Sequence, residues 1–192
     1  MDYIERLHSP EFIEALQRPD RTNGPFVVKC HGLLNESLRD VFVQNDHIHA
    51  SLAIRDPLEI YFSAYDNFRK TGEFSAFAKV STGIDTIVNY FEKILSSTVA
   101  TSKIKNVPVI RYEKIVEQPR EALLDSLEPP LRDKLMRGAI ERFADIGAAK
   151  HASDNRFNVG RIKRDLSIYD PGVVREVVSG LESARRSFGY TS

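Results

Sequence analysis

A lysine and a histidine that follow a short apolar run are the first residues whose types and spacing suit chemistry. The run ends at Val28, and Lys29 and His31 come directly after it, with Gly32 behind them. Because side chains two apart on an extended backbone share a face, Lys29 and His31 are expected to point the same way. Imidazole titrates near neutral pH and suits a general base. The alternative is a hydrogen-bonded structural histidine beside a solvated lysine.

A second candidate site combines Arg55 with Ser63, eight residues further along the chain. Arg55 ends a predicted strand and Ser63 lies on the helix predicted to follow it. A guanidinium, a hydroxyl and the N–H groups of a helix start together suit a phosphate group. The alternative is a surface arginine paired with Asp56 or Glu59, with Ser63 exposed.

An aromatic residue marks the end of another predicted strand. Tyr112 stands between Arg111 and Glu113, after the apolar run at 107–110. An aromatic ring in this position can stack on a nucleotide base. The commoner use of such a residue is to fill the core, and that alternative stays open.

A basic, glycine-containing stretch lies near the C-terminus. It runs from Asn155 to Asp165 and holds Arg156, Gly160 and Arg161, followed by Lys163 and Arg164. Such a segment can wrap an anion, and it can equally be a solvated loop.

Metal and thiol chemistry are weakly indicated. His47 and His49 share one face of a predicted strand, but no third ligand has convincing spacing, so no metal is predicted. Cys30 lies between Lys29 and His31 without an oxidoreductase or protease signature, and we interpret it as a small packing residue.

Three apolar runs predict the strands that would position these groups, at 25–29, 47–54 and 107–110. They alternate with amphipathic segments that predict helices, and the strand at 107–110 shows no in–out alternation. This arrangement favours an α/β fold with a parallel sheet covered on both faces, in one domain spanning residues 1–192. Ligands of such sheets bind beyond the carboxyl ends of the strands, so Lys29 with His31, Arg55 and Tyr112 are expected to converge on one crevice. The predicted helices are 3–18 (interrupted at Ser9–Pro10), 35–44, one from Pro57, 83–96, one from Pro119, 129–144 and 171–187, and 147–165 is predicted to be a loop.

Composition sets the broad class. The 192 residues hold 27 Lys and Arg against 27 Asp and Glu, so the net charge gives no reason to expect nucleic acid or an anionic membrane. No segment has the length of a membrane span, and the N-terminus lacks the apolar core of a secretory signal. The single cysteine excludes an internal disulfide and favours a cytoplasmic location.

Taken in order, the four motifs resemble those of the sulfotransferases that use 3′-phosphoadenosine 5′-phosphosulfate (PAPS). The run at 26–31 is similar to the family's strand ending in Lys-Thr-His, and 52–63 is similar to its 3′-phosphate motif. The segment 109–119 resembles its Arg-Tyr-Glu-Asp-Leu segment, and 159–166 resembles its C-terminal Gly-x-Trp segment. The resemblance covers residues 25–190 and includes the ending Phe188–Tyr190.

The resemblance implies a three-layer fold like that of the P-loop NTPases, with a parallel sheet between helices. It assigns His31 as catalytic base and Lys29 as the stabiliser of the transferring group. The implied nucleotide-binding residues are Arg55, Ser63, Tyr112, Arg156, Gly160 and Arg161. PAPS would be the co-substrate, with no metal.

The resemblance also implies a small-molecule or glycan acceptor, and a homo-oligomer stays open. The acceptor surface is expected to include the aromatic face of Tyr61, Tyr65 and Phe68.

Two features depart from the family. The 5′-phosphosulfate loop, of the type Pro-Lys-Ser-Gly-Thr-Thr, is not found before Pro25, and Ile162 replaces the tryptophan of the C-terminal segment. We expect either an N-terminally truncated sulfotransferase or an inactive PAP- or PAPS-binding paralogue, where PAP is the desulfated nucleotide. A P-loop kinase, the other rival, requires Gly-x₄-Gly-Lys-Ser/Thr, which the sequence lacks.

Overall fold

The computed structural model describes residues 36–46, 48–102, 107–127 and 163–190. Over these ranges the chain is mostly helical, with a small two-stranded parallel sheet, which agrees with the coarse α/β prediction. The elements in chain order are α1 (Glu36–Gln44), β1 (Leu52–Ile54), α2 (Pro57–Thr71), a 3-10 turn (Ser75–Ala78), α3 (Val80–Ser102), β2 (Val109–Arg111), α4 (Tyr112–Glu117), α5 (Pro119–Asp125), a second 3-10 turn (Leu166–Ile168) and α6 (Pro171–Ser187).

The chain divides into two compact units. The first contains α1 and the C-terminal part of α3 from Lys93 onward, within the ranges Met1–Ala50 and Lys93–Val107. The second, Ser51–Glu92 with Pro108–Ser192, contains both strands, α2 and α6. All side-chain interactions discussed below belong to the second unit.

The two strands pair in parallel, as the sequence predicts. Leu52 lies opposite Val109 and Ile54 opposite Arg111. The ladder begins where the Leu52 N–H donates to the carbonyl of Pro108, 2.9 Å away. Proline has no N–H and cannot extend the pairing further back. Among the described residues 48–54 of the predicted strand at 47–54, only Leu52–Ile54 form a strand.

Helix α2 starts and ends where the residue types require. The Asp56 carboxylate accepts a hydrogen bond from the Leu58 N–H (2.9 Å), and Pro57 occupies the first turn. The helix ends at Gly72, whose positive φ of 74° and N–H bond to the Phe68 carbonyl form a left-handed cap. The predicted Asp-Pro helix start is confirmed.

The core of the second unit lies between α2, α3 and α6. Tyr61 and Phe62 of α2 and Val177 and Leu181 of α6 are fully buried. Small residues permit this approach: a Cβ added at Gly83 would lie 2.8 Å from Cε2 of Tyr61. Burial of these large apolar groups is the main stabilising contribution to the unit.

Helix α6 has the predicted bounds, 171–187. Asp170 caps it by accepting from the N–H groups of Gly172 (2.8 Å) and Val173 (3.0 Å). Its buried residues Val177, Leu181 and Ala184 follow helical spacing. The amphipathic pattern of the sequence predicted this helix.

Other predictions fared differently. Helices α1 and α5 correspond to the predicted helices at 35–44 and from Pro119. Helix α3 extends beyond the predicted 83–96 at both ends, and α4 was not predicted. Val109 keeps 48% of its surface exposed while Ile110 keeps 8%, so β2 alternates where a strand buried on both faces was expected. The predicted helices at 3–18 and 129–144, the strand at 25–29 and most of the loop at 147–165 lie outside the described residues.

Candidate functional site

The carboxyl ends of β1 and β2 bring Arg55 and Tyr112 together. The register pairs Ile54 with Arg111, so the next residue of each strand leaves the sheet at the same edge. The Arg55 guanidinium carbon lies 4.6 Å from the centre of the Tyr112 ring. This is cation–π geometry, with a typical contribution of about 0.5–2 kcal/mol. The expected convergence of these two residues is present.

Arg55 also contacts Glu59, one turn into α2. Its Nη2 lies 3.4 Å from Oε2 of Glu59, and only 7% of Glu59 is exposed. This pairing was the alternative interpretation of Arg55, although the arginine is mostly buried rather than on the open surface, with 19% of its side chain exposed. The guanidinium therefore faces a carboxylate of its own chain.

The start of α2 offers an anion fewer N–H groups than the sequence suggested. The Leu58 N–H is taken by the Asp56 carboxylate, and the Ile60 N–H donates to the Asp56 carbonyl. The same carboxylate carries a negative charge at the point where the helix dipole would favour an anion. Any phosphate here would have to be bound mainly by side chains.

Ser63 lies on the same side of α2 as Glu59. The two are four residues apart, and Asp66 follows three residues later, so all three occupy one stripe of the helix. Ser63 is partly buried and lies about 9 Å along the axis from Pro57, at about 1.5 Å per residue. Because Arg55 pairs with Glu59, the arginine faces this stripe.

Arg164 bridges two members of this stripe. Its backbone N–H donates to Oε1 of Glu59 (2.9 Å), and its Nε lies 3.6 Å from Oε2. Its Nη1 pairs with Asp66, which also accepts a hydrogen bond from the Tyr169 hydroxyl at 2.9 Å. Burial and this hydrogen bond raise the pKa of Tyr169. Arg164 thus has a structural role between two carboxylates.

The C-terminal segment docks against the end of β2. Arg111 Nη2 donates to the carbonyl groups of Phe188 (3.2 Å) and Gly189 (3.0 Å), and its guanidinium lies over the Tyr190 ring at 4.9 Å. The Tyr190 hydroxyl donates to Glu113 at 3.0 Å. Burial, then this hydrogen bond, raises the pKa of Tyr190. These contacts fix the segment beside the edge that carries Arg55 and Tyr112.

Five predicted site residues are not among those that the structure describes. Lys29, His31, Arg156, Gly160 and Arg161 lie outside the described residues. Their assignments as base, stabiliser and nucleotide ligands stay predictions.

The expected acceptor face is corrected at Tyr61. Tyr61 is fully buried, with its ring 5.3 Å from those of Phe62 and Phe77 and stacked on Tyr65 at 6.2 Å. Tyr65 and Phe68 are partly buried and pack against the same cluster. Their helical spacing serves the core, since burying three large rings on one face is favoured by apolar area alone.

Two further findings concern only the part of the chain that the structure describes. No group of three or more His, Cys, Asp or Glu side chains there is arranged to hold a metal ion. None of the helices in those ranges is both long and apolar enough to cross a membrane.

Sequence reasoning missed Asp66, Tyr169 and Arg185 as parts of this region. The spacing of Glu59 and Asp66, seven residues apart and two helical turns, was the available signal for a shared polar stripe. The pairing of Asp56 with Arg185 had none, because the two residues are 129 positions apart.

Comparison of the chain with protein-family models, with curated proteins and with solved structures gave no match in any of the three.

Proposed function

We propose that this protein is a PAPS-dependent sulfotransferase that transfers a sulfuryl group to a hydroxyl or amine acceptor. The observation that carries the proposal is the contact of Arg55 with Tyr112 at the carboxyl ends of two parallel strands. The resemblance gives these same two residues to the 3′-phosphate and the adenine of one nucleotide. Two distant motifs of the ordered set are therefore neighbours in space, as a common ligand requires.

In this proposal Arg55 and Ser63 hold the 3′-phosphate and the Tyr112 ring lies near the adenine. The family's three-layer sheet, with further strands beside β1 and β2, is part of the same proposal. Phosphate binding by an arginine fork with a hydroxyl is chemically favourable because both are donors to the same oxygens.

The charges of the described side chains support a role for the basic segment as well. Arg55 and Arg164 are matched by Glu59 and Asp66, so these four side chains together offer no excess positive charge. A phosphate dianion placed here needs further cations. Arg156 and Arg161 are the cations that the resemblance brings to this phosphate.

The chemical step requires positioning and charge compensation. His31 takes the proton of the acceptor hydroxyl or amine, and the acceptor atom forms a bond to sulfur. The bond from sulfur to the bridging phosphate oxygen breaks, and PAP leaves with the electron pair. Lys29 offsets negative charge on the transferring group.

A test is calorimetric titration of the chain with PAP and, in parallel, with AMP, which lacks the 3′-phosphate. PAP is expected to bind at least about tenfold more tightly than AMP, and Arg55→Ala is expected to remove this difference. Arg186→Ala is the matched control, because Arg186 is an exposed arginine paired with Glu182 on α6. Equal binding of PAP and AMP, or an unchanged preference in Arg55→Ala, would contradict the site.

A second candidate function is a non-catalytic module that binds PAP or PAPS. It is favoured by one sequence observation: the 192 residues contain no Pro-Lys-Ser-Gly-Thr-Thr type loop to hold the 5′-phosphosulfate. Incubation with PAPS and a panel of hydroxyl and amine acceptors separates the two. Release of PAP coupled to acceptor sulfation supports the enzyme, whereas PAP-specific binding with no turnover supports the module.

A further inference from the structure

The cap of α2 carries a negative charge beside the proposed phosphate site. Asp56 follows Arg55 directly in the chain, and its carboxylate accepts the Leu58 N–H at 2.9 Å. An aspartate cap stabilises a helix, but its charge opposes the binding of an anion at the same helix end. A phosphate held by Arg55 therefore requires the charge of Asp56 to be compensated.

Arg185, in the last turn of α6, supplies a compensating charge. Its Nε lies 3.0 Å from Oδ1 of Asp56 and its Nη2 lies 3.0 Å from Oδ2, which is a two-point ion pair. The exposed fractions of the two side chains are 13% for Arg185 and 15% for Asp56. Because both side chains are mostly buried, water screens the attraction between them little.

The charges along α2 balance because Arg185 is among them. Three carboxylates and three guanidinium groups form ion pairs there: Asp56, Glu59 and Asp66 with Arg185, Arg55 and Arg164. Without Arg185 this set would carry one net negative charge, which would repel a phosphate dianion. Consecutive Cα atoms are about 3.8 Å apart, so Asp56 acts on a phosphate at Arg55 over a distance comparable with the screening length of about 10 Å.

We propose that Arg185 is a positioning residue of the phosphate site, which acts through Asp56 by neutralising its charge beside the bound anion. The inference rests on the proposed function, because it concerns the phosphate assigned to Arg55 and Ser63. Arg185 does not touch the ligand in this role. Its charge next to Asp56, rather than the exact geometry of the pair, sets the affinity.

The first arm of the test uses inorganic phosphate, which probes the site without a nucleotide. The dissociation constant is measured in the full chain from the NMR shift of the Ser63 amide. Arg185→Gln is expected to weaken phosphate binding about three- to tenfold, because Asp56 is left uncompensated. Arg185→Lys keeps the charge and should stay within about twofold of wild type.

Equal losses in the Arg185→Gln and Arg185→Lys variants would show that geometry rather than charge matters, and would overturn the proposal. The absence of a saturable shift at Ser63 in the wild-type chain would overturn it as well.

Asp56→Asn separates charge from structure. The amide oxygen can still cap α2 and accept from Arg185, while the negative charge is gone. Phosphate should bind about three- to tenfold more tightly, although the free energy of unfolding falls. The double variant Asp56→Asn/Arg185→Gln restores the charge balance and should bind close to wild type. Weaker phosphate binding in folded Asp56→Asn would overturn the proposal, since a purely structural pair predicts that result.

Arg186→Gln is the matched control for net charge. Arg186 is the next residue on α6, but 73% of its side chain is exposed and it pairs with Glu182. This variant changes the total charge as Arg185→Gln does, outside the buried pair, and phosphate affinity should stay within about twofold. A loss equal to that of Arg185→Gln would reduce the effect to total charge and overturn the role of Arg185.

The second arm compares PAP with AMP by calorimetry. Because AMP lacks the 3′-phosphate, Arg185→Gln should reduce the preference for PAP about three- to tenfold, and Arg185→Lys should keep it. An unchanged preference in Arg185→Gln would contradict an action on the 3′-phosphate. If the wild-type chain does not distinguish PAP from AMP, the proposed function fails, while the inorganic phosphate arm still decides whether Arg185 neutralises Asp56 beside an anion.

Discussion

Asp56 joins the two ends of the second unit. Its Oδ1 accepts from the Leu58 N–H at 2.9 Å and from Nε of Arg185 at 3.0 Å, and its Oδ2 accepts from Nη2 of Arg185 at 3.0 Å. One carboxylate thus caps α2 and forms a two-point ion pair with the last turn of α6. Both side chains are mostly buried, at 15% and 13% exposure, so water screens the pair little.

Removing this carboxylate is expected to destabilise the protein strongly. Asp56→Ala loses the cap and leaves Arg185 partly buried and uncompensated, so the free energy of unfolding should fall by about 2–4 kcal/mol. Asp56→Asn can still cap the helix and should cost less. Urea unfolding of both variants, with Arg185→Ala and the Asp56→Ala/Arg185→Ala double variant, measures the coupling. Additive losses would show that the ion pair contributes nothing.

The hydroxyl of Tyr61 is buried without a hydrogen-bond partner in the described ranges. Tyr61→Phe removes the unsatisfied group and keeps the ring, so the free energy of unfolding should rise by about 1 kcal/mol. Tyr169→Phe is the matched control. It removes a hydroxyl that donates to Asp66 and should lower stability by about 1–3 kcal/mol. A loss of stability in Tyr61→Phe would reveal a partner for the hydroxyl.

Stability is expected to fall at alkaline pH. Burial raises the pKa of Tyr61 from 10.0 to about 12, with smaller contributions from Tyr65 and Glu176. Between these values the unfolded chain loses the proton and the folded chain keeps it, so the free energy of unfolding decreases as pH rises. Chemical denaturation between about pH 8 and about pH 11 measures the slope. Tyr61→Phe should reduce it, and an identical slope would contradict the assignment to Tyr61.

Gly189 is expected to tolerate a side chain less well than Gly72. Both have positive φ, 70° and 74°, so alanine costs about 1 kcal/mol at either on conformational grounds. A Cβ at Gly72 meets open space, but at Gly189 it would lie 2.6 Å from Nη2 of Arg111. Nη2 of Arg111 donates hydrogen bonds to the carbonyl groups of Phe188 and Gly189. Thermal unfolding should show the larger loss for Gly189→Ala; equal losses would mean that Arg111 moves aside freely.

If the protein is an active sulfotransferase, His31→Ala should lower kcat by about 10²–10⁴-fold, the usual contribution of a general base. PAP affinity should stay within about threefold, because the base contacts the acceptor rather than the nucleotide. His8→Ala, at a histidine outside the motifs, is the control. Turnover in His31→Ala at the wild-type rate would rule out its role as base.

The sequence by itself determined the local elements whose signals are carried by neighbouring residues. Asp-Pro at 56–57 marked the start of α2, because an aspartate cap and a first-turn proline act within one turn of the chain. The amphipathic pattern of 171–187 predicted α6. The parallel relation of β1 and β2 followed from the strand–helix alternation. This relation predicted that Arg55 and Tyr112 lie at one edge of the sheet.

Only the tertiary structure decided what those side chains do. Whether Tyr61 lines an acceptor surface or the core depends on the packing of α3 and α6. Gly83 of α3 leaves room for the Tyr61 ring, and Leu181 of α6 packs in the same buried cluster. Arg164 belonged to a basic stretch in the sequence, yet its charge is taken by Glu59 and Asp66, about a hundred residues earlier. Periodicity and capping are local, whereas burial and ion pairing depend on groups brought close by folding, and no spacing along the chain encodes those distances.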